Sequence, residues 1–399
     1  MCNIDLLYFS IFIAYRRYPR LLGGTQSSPS FPCLFADCET YPIFRLATML
    51  SEKSSASNKK YMPELGTEVR SGISIYKLLS VLGEGGFGTV LEVRRGYRRY
   101  AMKIEKYNKS MLHIEAAVMS AAERHSCKHI CRLVDYGTQK PRYMFIVMPI
   151  LGKDLHTLRH EQLSKRFSLR TSIIVGMQTL AAIEELHRCG FISRDIKPGN
   201  FAVGLREEMQ HRTIFLFDFG LAKKHSDRDG NEYASRGVVG WRGTTRYGSL
   251  KAHERLDLGR RDDIESWFYV LVEITSGTLP WRHVTERNNV RAAKLMARKG
   301  TRVHLLYNCP KQYDRMLTII DALMFEDRPP YQQIQAILED IGKENKIDTH
   351  SRFDWDEDDS TAYSHGKQSV SDSGDTALVL NDEDGVISVD ESPRTYSST

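Results

Sequence analysis

The chain has 399 residues, with 56 Lys and Arg against 50 Asp and Glu, a formal charge of +6. That length can bury a sizeable core and predicts one large or two medium domains, and the composition is that of a soluble globular protein. The charge is uneven: from Ser351 onward twelve Asp and Glu face three Lys and Arg, which leaves about +15 on the preceding residues. A basic body suits nucleic acid in principle, but no aromatic-interleaved basic stripe or helix-turn-helix pattern is present. Acidic or phosphorylated protein substrates are the better reading.

The seven cysteines, Cys2, Cys33, Cys38, Cys127, Cys131, Cys189 and Cys309, are odd in number and irregular in spacing. This argues against a disulfide framework and for a reducing compartment. His125, Cys127, His129 and Cys131 alternate, but ligands so close together make poor tetrahedral geometry, and no second pair stands at a finger-like distance. An apolar run, Leu6 to Tyr15, precedes Arg16 and Arg17. It has about half the length that spans a bilayer, and it lacks the basic flank of a secretory signal. A membrane-tethered reading rests on this run alone. Met49 opens a polar Ser/Lys stretch that would also serve as a start.

Residues 1–70 lack sustained periodicity and are expected to be a disordered arm. Ile73 to Val93 alternates apolar and polar residues around a glycine cluster, which predicts two strands joined by a Gly-rich turn. Tyr100 to Ile104 is a third short strand. Ser110 can cap a helix with the inner stripe Leu112, Ala116, Met119 and Ala122. Cys131 to Tyr136 and Tyr143 to Met148 are predicted as further strands. After Gly152 the pattern turns helical. Ser168 caps a long helix with Ile173, Met177, Leu180 and Ile183 inward and Gly190 past its end. Further helical patterns cover Asp263 to Thr275 and Val290 to Arg298. From about Lys346 the chain becomes rich in Ser, Asp, Glu and Gly, and a disordered acidic tail is expected over 346–399. There Asp354, Asp356, Glu357, Asp358 and Asp359 precede Ser360 and Thr361.

Leu82-Gly83-Glu84-Gly85-Gly86-Phe87-Gly88-Thr89-Val90 contains G-x-G-x-x-G. A dinucleotide fold would open a helix at the third glycine. Strand formers follow here instead, so the turn reads as a flap over ATP phosphates, approached by backbone N–H groups. No Walker lysine follows, which excludes a P-loop. Lys103, in Ala101-Met102-Lys103, can neutralise the α- and β-phosphates, with Glu115 as the acid that holds it. In Ser193-Arg194-Asp195-Ile196-Lys197-Pro198-Gly199-Asn200, Asp195 is placed to orient a substrate hydroxyl and accept its proton. Lys197 can reach the γ-phosphate from two residues on. Asn200 and Asp218, the latter opening Asp218-Phe219-Gly220, can hold Mg²⁺.

These residues, over about Ile73 to Gly342, resemble the eukaryotic protein kinases, and Lys197 after Asp195 resembles the serine/threonine pattern. The resemblance implies an α+β bilobal fold over 71–345, with a mainly β lobe carrying one helix (71–151) and a larger, mainly helical lobe (152–345). It implies a threonine, Thr244 in Gly243-Thr244, between Asp195 and Lys197. Finer runs look like the casein kinase I group: Leu112-His113-Ile114-Glu115, Met148-Pro149-Ile150-Leu151-Gly152-Lys153-Asp154-Leu155, Asp218-Phe219-Gly220-Leu221-Ala222-Lys223-Lys224, Arg242-Gly243-Thr244-Thr245-Arg246-Tyr247-Gly248-Ser249 in place of an Ala-Pro-Glu motif, and Gly259-Arg260-Arg261-Asp262-Asp263-Ile264-Glu265-Ser266. Cys131-Arg132, Val147-Met148 and the run from Phe217-Asp218 to Arg242-Gly243 lean toward its tau-tubulin kinase-like branch.

That similarity implies an ATP site lined by Leu82, Gly83, Glu84, Gly85, Gly86, Phe87, Gly88, Val90, Ala101, Lys103, Glu115, Met148, Pro149 and Leu151. Met148 would be the gatekeeper, and adenine would meet the Pro149 carbonyl and the Leu151 N–H. A basic pocket for acidic or phosphorylated residues is implied at Arg246, with Arg242 nearby and Arg291 or Lys294 as candidate additions. The cofactors implied are ATP and Mg²⁺. The expected partners are protein substrates, cytoskeletal ones included, met by a monomer in the cytoplasm or nucleus, without nucleic acid or membrane. One departure stands out: the group has His before Arg194, and this chain has Ser193, which predicts a gap beneath Phe219 and reduced activity. A pseudokinase scaffold that binds nucleotide or partners without efficient transfer is the alternative that Ser193 favours.

Overall fold

The alternation that begins near Ile73 becomes the longest strand of the first lobe. The computed structural model describes residues 62–84, 88–227 and 229–356. Strands β1 (Glu68–Ser71), β2 (Ser74–Glu84), β3 (Gly88–Arg95) and β4 (Arg98–Lys106) follow in order. Helix α1 (Leu112–Arg124) comes next, then β5 (Asp135–Gln139) and β6 (Tyr143–Met148). The six strands form one antiparallel sheet in the order β1-β2-β3-β4-β6-β5. Tyr76, Leu78, Leu91, Val93, Met102 and Ile104 alternate along three neighbouring strands and fill one core, as period-two patterning requires. Gly88 is needed where β3 crosses β4, because a Cβ there would lie 2.0 Å from the Ile104 carbonyl oxygen.

Three expectations shift in this lobe. The segment assigned to the arm through residue 70 already contains β1, whose Val69 pairs with Tyr76 and is buried. Ser110 acts one residue further out than a regular cap: its Oγ accepts the Leu112 N–H at 3.1 Å, and Met111 occupies the cap position. The strand expected at Cys131 to Tyr136 starts at Asp135 instead. The Cys131 N–H donates to the Leu216 carbonyl, and Leu216 donates to His129, which draws residues 129–131 into the second lobe.

The second lobe is built on α3 (Leu169–Arg188), preceded by the short α2 (Leu155–Glu161). Ser168 caps α3 as its sequence predicts, its Oγ accepting the Thr171 N–H at 3.2 Å. Short strands β7 (Phe191–Ile192), β8 (Phe201–Val203), β9 (Ile214–Leu216) and β10 (Lys223–Lys224) frame the catalytic run, paired as β7-β10 and β8-β9. Helices α4 (Leu250–His253), α5 (Arg260–Ser276), α6 (Arg287–Lys299), α7 (Arg302–Leu305), α8 (Gln312–Asp321) and α9 (Tyr331–Glu344) complete it. Trp267, Phe268 and Trp281 belong to a core that is continuous with the inner face of α1.

The segment beyond Lys346, expected to be disordered, is packed as far as it is described. Phe353 is buried, its ring stacks on Trp355 at 4.5 Å, and Trp355 meets Phe167 edge-on at 5.1 Å. The Asp354 carboxylate accepts from the Ser168 N–H at 2.5 Å and the Ser168 hydroxyl at 2.6 Å. Phe353, Asp354 and Trp355 dock the segment on the start of α3, with Ile347 against the core and Arg212 donating to the His350 and Ser351 carbonyls. The arm through Tyr61 and the tail from Glu357 lie outside the described residues.

Candidate active site

Strand β4 sets the first half of the site. Its register places Lys103 opposite Val90 of β3 and Ile146 of β6. The Lys103 ammonium lies 2.6 Å from Glu115 and 3.0 Å from Asp218, with Glu105 at 3.8 Å. Burial works against the ammonium, but Glu115 and then Asp218 outweigh it and raise its pKa. Burial raises Glu115 to about 7 against the pull of Lys103, with the Asp218 charge adding to the rise. Glu115 thus binds Lys103 as the nearest of three acids around one cation. Glu105, absent from the sequence-predicted site, is buried and accepts the Met111 N–H at 2.8 Å, which fixes the start of the helix that carries Glu115.

Asp218 adopts a left-handed backbone, φ 62°, a conformation that needs support from its surroundings. Burial opposes its ionisation, but Lys103, and then Lys197, hold its carboxyl below the ordinary value. Its side chain is two-fifths exposed to the cleft. Phe219 behind it is buried.

The second half of the site is the run after β7. Asp195 is gripped on both oxygens: Lys197 Nζ donates to Oδ2 at 2.7 Å, and Thr244 Oγ1 donates to Oδ1 at 2.7 Å. Thr244 reaches it because Gly243, φ 96°, lets the chain pass where a Cβ would lie 2.5 Å from the Arg194 carbonyl oxygen. Asn200 is buried and donates to the Asp195 carbonyl at 2.9 Å, while its own carbonyl accepts the Phe217 N–H at 3.0 Å. The carboxylate of Asp218 and the amide oxygen of Asn200 are hard oxygen donors, which suit a small divalent cation that completes its shell with phosphate and water.

Asp263, quoted in the sequence only as part of a run, positions the whole loop. Its two oxygens accept the Ser193 and Arg194 N–H groups at 2.6 and 2.9 Å. Ser193 Oγ in turn accepts the Asp195 N–H at 3.3 Å. Arg194 Nε donates to the Leu221 carbonyl at 2.7 Å, tying the catalytic run to the segment after Asp218. Asp257, also missed, is buried and accepts Lys223 at 2.7 Å and Arg236 at 2.6 Å. Its pKa is depressed because these cations overcome its burial. It pins the segment between them. A buried acid with remote partners leaves no periodic mark, so spacing alone did not reveal either residue.

At the rim, Leu82, Gly83, Glu84 and Val90 flank the flap, and Gly83 pairs with Val90. Its tip, Gly85, Gly86 and Phe87, lies outside the described residues. Ala101 pairs with Met148, the last residue of β6, and Pro149 and Leu151 follow in the irregular segment after it. The residues expected to form a basic pocket stand in different surroundings. Arg242 is exposed. Arg246 lies 3.5 Å from buried Glu273 and donates to the Arg282 carbonyl. Arg291 pairs with Glu254 at 3.3 Å. Lys294 is withdrawn from any pocket: it is fully buried and donates to the Thr245 and Gly248 carbonyls at 3.1 and 2.5 Å.

Comparison with known proteins points the same way as this geometry. A family model described as the protein kinase domain matches residues 76–343. A probable serine/threonine-protein kinase of Dictyostelium discoideum is 33% identical over 285 residues, covering 70% of this chain and 56% of that protein. The serine/threonine-protein kinase spe-6 of Caenorhabditis elegans is 31% identical over 313 residues, covering 76% of this chain and 81% of its own length. A probable casein kinase I homolog of Encephalitozoon cuniculi is 30% identical over 291 residues, 70% of this chain and 88% of that protein.

Proposed function

The chain belongs to the protein kinase family, and on that premise we propose that it transfers the γ-phosphate of ATP to serine and threonine of acidic or phosphate-primed proteins. The observation that carries this is the pair of half-sites, Lys103–Glu115–Asp218 and Asp195–Lys197–Thr244, close enough that the Lys197 charge acts on Asp218. Lys103, steadied by Glu115, neutralises phosphate charge from the sheet side. Asp195, held by Thr244 and Lys197, orients the incoming hydroxyl and takes its proton, while Lys197 offsets charge on the transferred group. Asp218 and Asn200 would hold a divalent cation such as Mg²⁺, which would further neutralise phosphate charge. Leu82, Val90, Ala101, Met148, Pro149 and Leu151 line the base-binding side of this reading.

Arg242 and Arg246, on a body that carries the positive charge of the chain, support the acidic preference. The motif likeness supports the casein kinase I group and its tau-tubulin kinase-like branch, cytoskeletal substrates, and a monomer acting in the cytoplasm or nucleus. The pseudokinase alternative is disfavoured by the engaged Lys103–Glu115 pair at 2.6 Å. Among the described residues no helix is long and apolar enough to cross a membrane.

The test is transfer from radiolabelled ATP with Mg²⁺ to matched acidic, primed and neutral peptides bearing Ser, Thr or Tyr. Label is expected on Ser and Thr of the acidic and primed peptides, and Asp195→Asn or Asp218→Asn is expected to lower turnover by several powers of ten with the fold retained. Nucleotide binding without transfer would leave the pseudokinase reading standing. Equal rates on acidic and neutral peptides would remove the substrate preference alone.

A further inference from the structure

Two cysteines meet where α1 is anchored to the second lobe. Cys127 follows α1, Cys189 closes α3, and their sulfurs stand 3.5 Å apart. The backbone on both sides is fixed. The Cys127 N–H donates to the Ala122 carbonyl at 3.0 Å and the Cys189 N–H to Glu185 at 3.1 Å. The Glu185 carboxylate accepts the Lys128 and His129 N–H groups at 3.0 and 2.8 Å, clamping the residues after Cys127 onto α3. The Arg188 guanidinium lies 3.9 Å from Cys127 Sγ. Both thiols are half-buried, and Cys189 lines a cleft of about 860 Å³ that admits a small oxidant.

The two thiols are electrostatically unlike. The bond from Cys189, helped by Arg188 against burial, lowers the pKa of Cys127, while the same bond and burial raise that of Cys189. The direction of these shifts, together with Arg188 beside Cys127 Sγ, assigns Cys127 the attacking role and Cys189 the resolving one. Burial pushes Cys131 and Cys309 up to about 12 and keeps both protonated.

We propose that Cys127 and Cys189 form a reversible redox pair that closes to an intrachain disulfide in the presence of a peroxide. The Cys127 thiolate attacks a peroxide oxygen, the O–O bond breaks, and Cys127 sulfenic acid and hydroxide form. Cys189 gives its proton to that hydroxide and attacks the Cys127 sulfur; the S–O bond breaks and hydroxide leaves with a proton from solvent. Two thiols and one hydrogen peroxide become one disulfide and two waters. The sulfurs must approach by roughly 1.5 Å to reach bonding distance. The link joins the end of the helix bearing Glu115 to the end of α3, so it restrains the swing of α1 away from Lys103.

The experiment treats the full chain with hydrogen peroxide and maps its peptides by mass spectrometry, with and without a thiol reductant. A Cys127–Cys189 linked peptide that reductant abolishes is expected, with a raised Tm and retained kinase turnover. Arg188→Gln is expected to slow its formation by about tenfold. Cys127→Ser and Cys189→Ser should each abolish the Tm rise. Sulfinic or sulfonic acid at Cys127 with Cys189 left free, or linkage of other cysteines at the same rate, would overturn the proposal. Because the linked peptide is read in the unmutated protein, a variant that fails to fold does not blunt the test, and absence of kinase activity leaves the thiol chemistry to be read independently.

Discussion

The Asp263 carboxylate accepts the backbone N–H of Ser193 at 2.6 Å, so a helix of the second lobe holds the start of the catalytic run. The same oxygen faces His187 Nε2 at 2.9 Å, and His187 Nδ1 faces the Tyr331 hydroxyl at 2.6 Å. Burial lowers the pKa of His187 despite Asp263, so the imidazole is neutral, with its proton on Nε2 and Nδ1 accepting from tyrosine. The catalytic run and α3 thus meet on one buried carboxylate of α5, with α9 added through His187.

Asp263→Asn should therefore act at a distance. Its amide offers one acceptor oxygen where three donors now converge, leaving a buried N–H unsatisfied. A stability loss of about 3 kcal/mol is expected, with a fall in turnover larger than any change in the Michaelis constant for ATP. Denaturant unfolding and steady-state kinetics read both. Unchanged values would show that the loop holds its shape through Arg194 alone.

Ser193→His tests the residue that departs from the group pattern. Ser193 is buried, its hydroxyl accepts the Asp195 N–H, and Phe219 is only 1% exposed. A larger ring there is expected to overpack the site, lowering stability by about 1–3 kcal/mol without raising turnover. Faster turnover in the variant would instead establish the gap beneath Phe219 that the smaller side chain predicts.

Much of the site was legible because its chemistry is local. Asp195 to Asn200 and Asp218 to Gly220 each place their candidate groups within a few residues of one another, and the glycine turn announces itself the same way. The long strands and α3 were legible from period and caps. Asp263, Asp257 and Glu105 were not, since each acts through partners far along the chain. The strand expected at Cys131 moved for a similar reason: apolar spacing marks burial but not which lobe takes the backbone bonds. Lys294 shows the limit most plainly. A lysine on an exposed-looking helix turned out to lie between Tyr269 and Trp281, 4.8 and 5.4 Å from their rings, and to bond the Thr245 and Gly248 carbonyls.

His253, beside Lys294, predicts a pH effect. Its Nε2 lies 3.2 Å from Lys294 Nζ, and Trp241, Arg287 and Arg291 surround it. Burial first, then Lys294 and the two arginines, pushes its pKa down to about 3. A group depressed on folding contributes stability above its unfolded value, near 6.5, and loses it as pH falls toward the folded value. The Tm of the intact protein should drop between pH 6.5 and 4, and His253→Gln should flatten that drop. Parallel Tm profiles for the two proteins would show that another group governs the acid limb.

Asp354 predicts how the tail must be cut. Besides Ser168, its carboxylate accepts from Thr171 Oγ1 at 2.8 Å, at the first turn of α3, where negative charge is also favoured by the helix dipole. Asp354→Ala is expected to cost about 2 kcal/mol. Deleting 346–399 removes it together with Phe353 and Trp355 and should lower the Tm by several degrees, at roughly 2 °C or more per kcal/mol. Deletion from residue 357 should leave the Tm unchanged. Only the second truncation isolates the acidic run before Ser360 and Thr361. If that run serves as a tethered substrate, the shorter chain shows a lower apparent Michaelis constant for an acidic peptide at low salt, a gap that closes at high salt. Identical kinetics at low salt, with no phosphate found on Ser360 or Thr361, would end that reading.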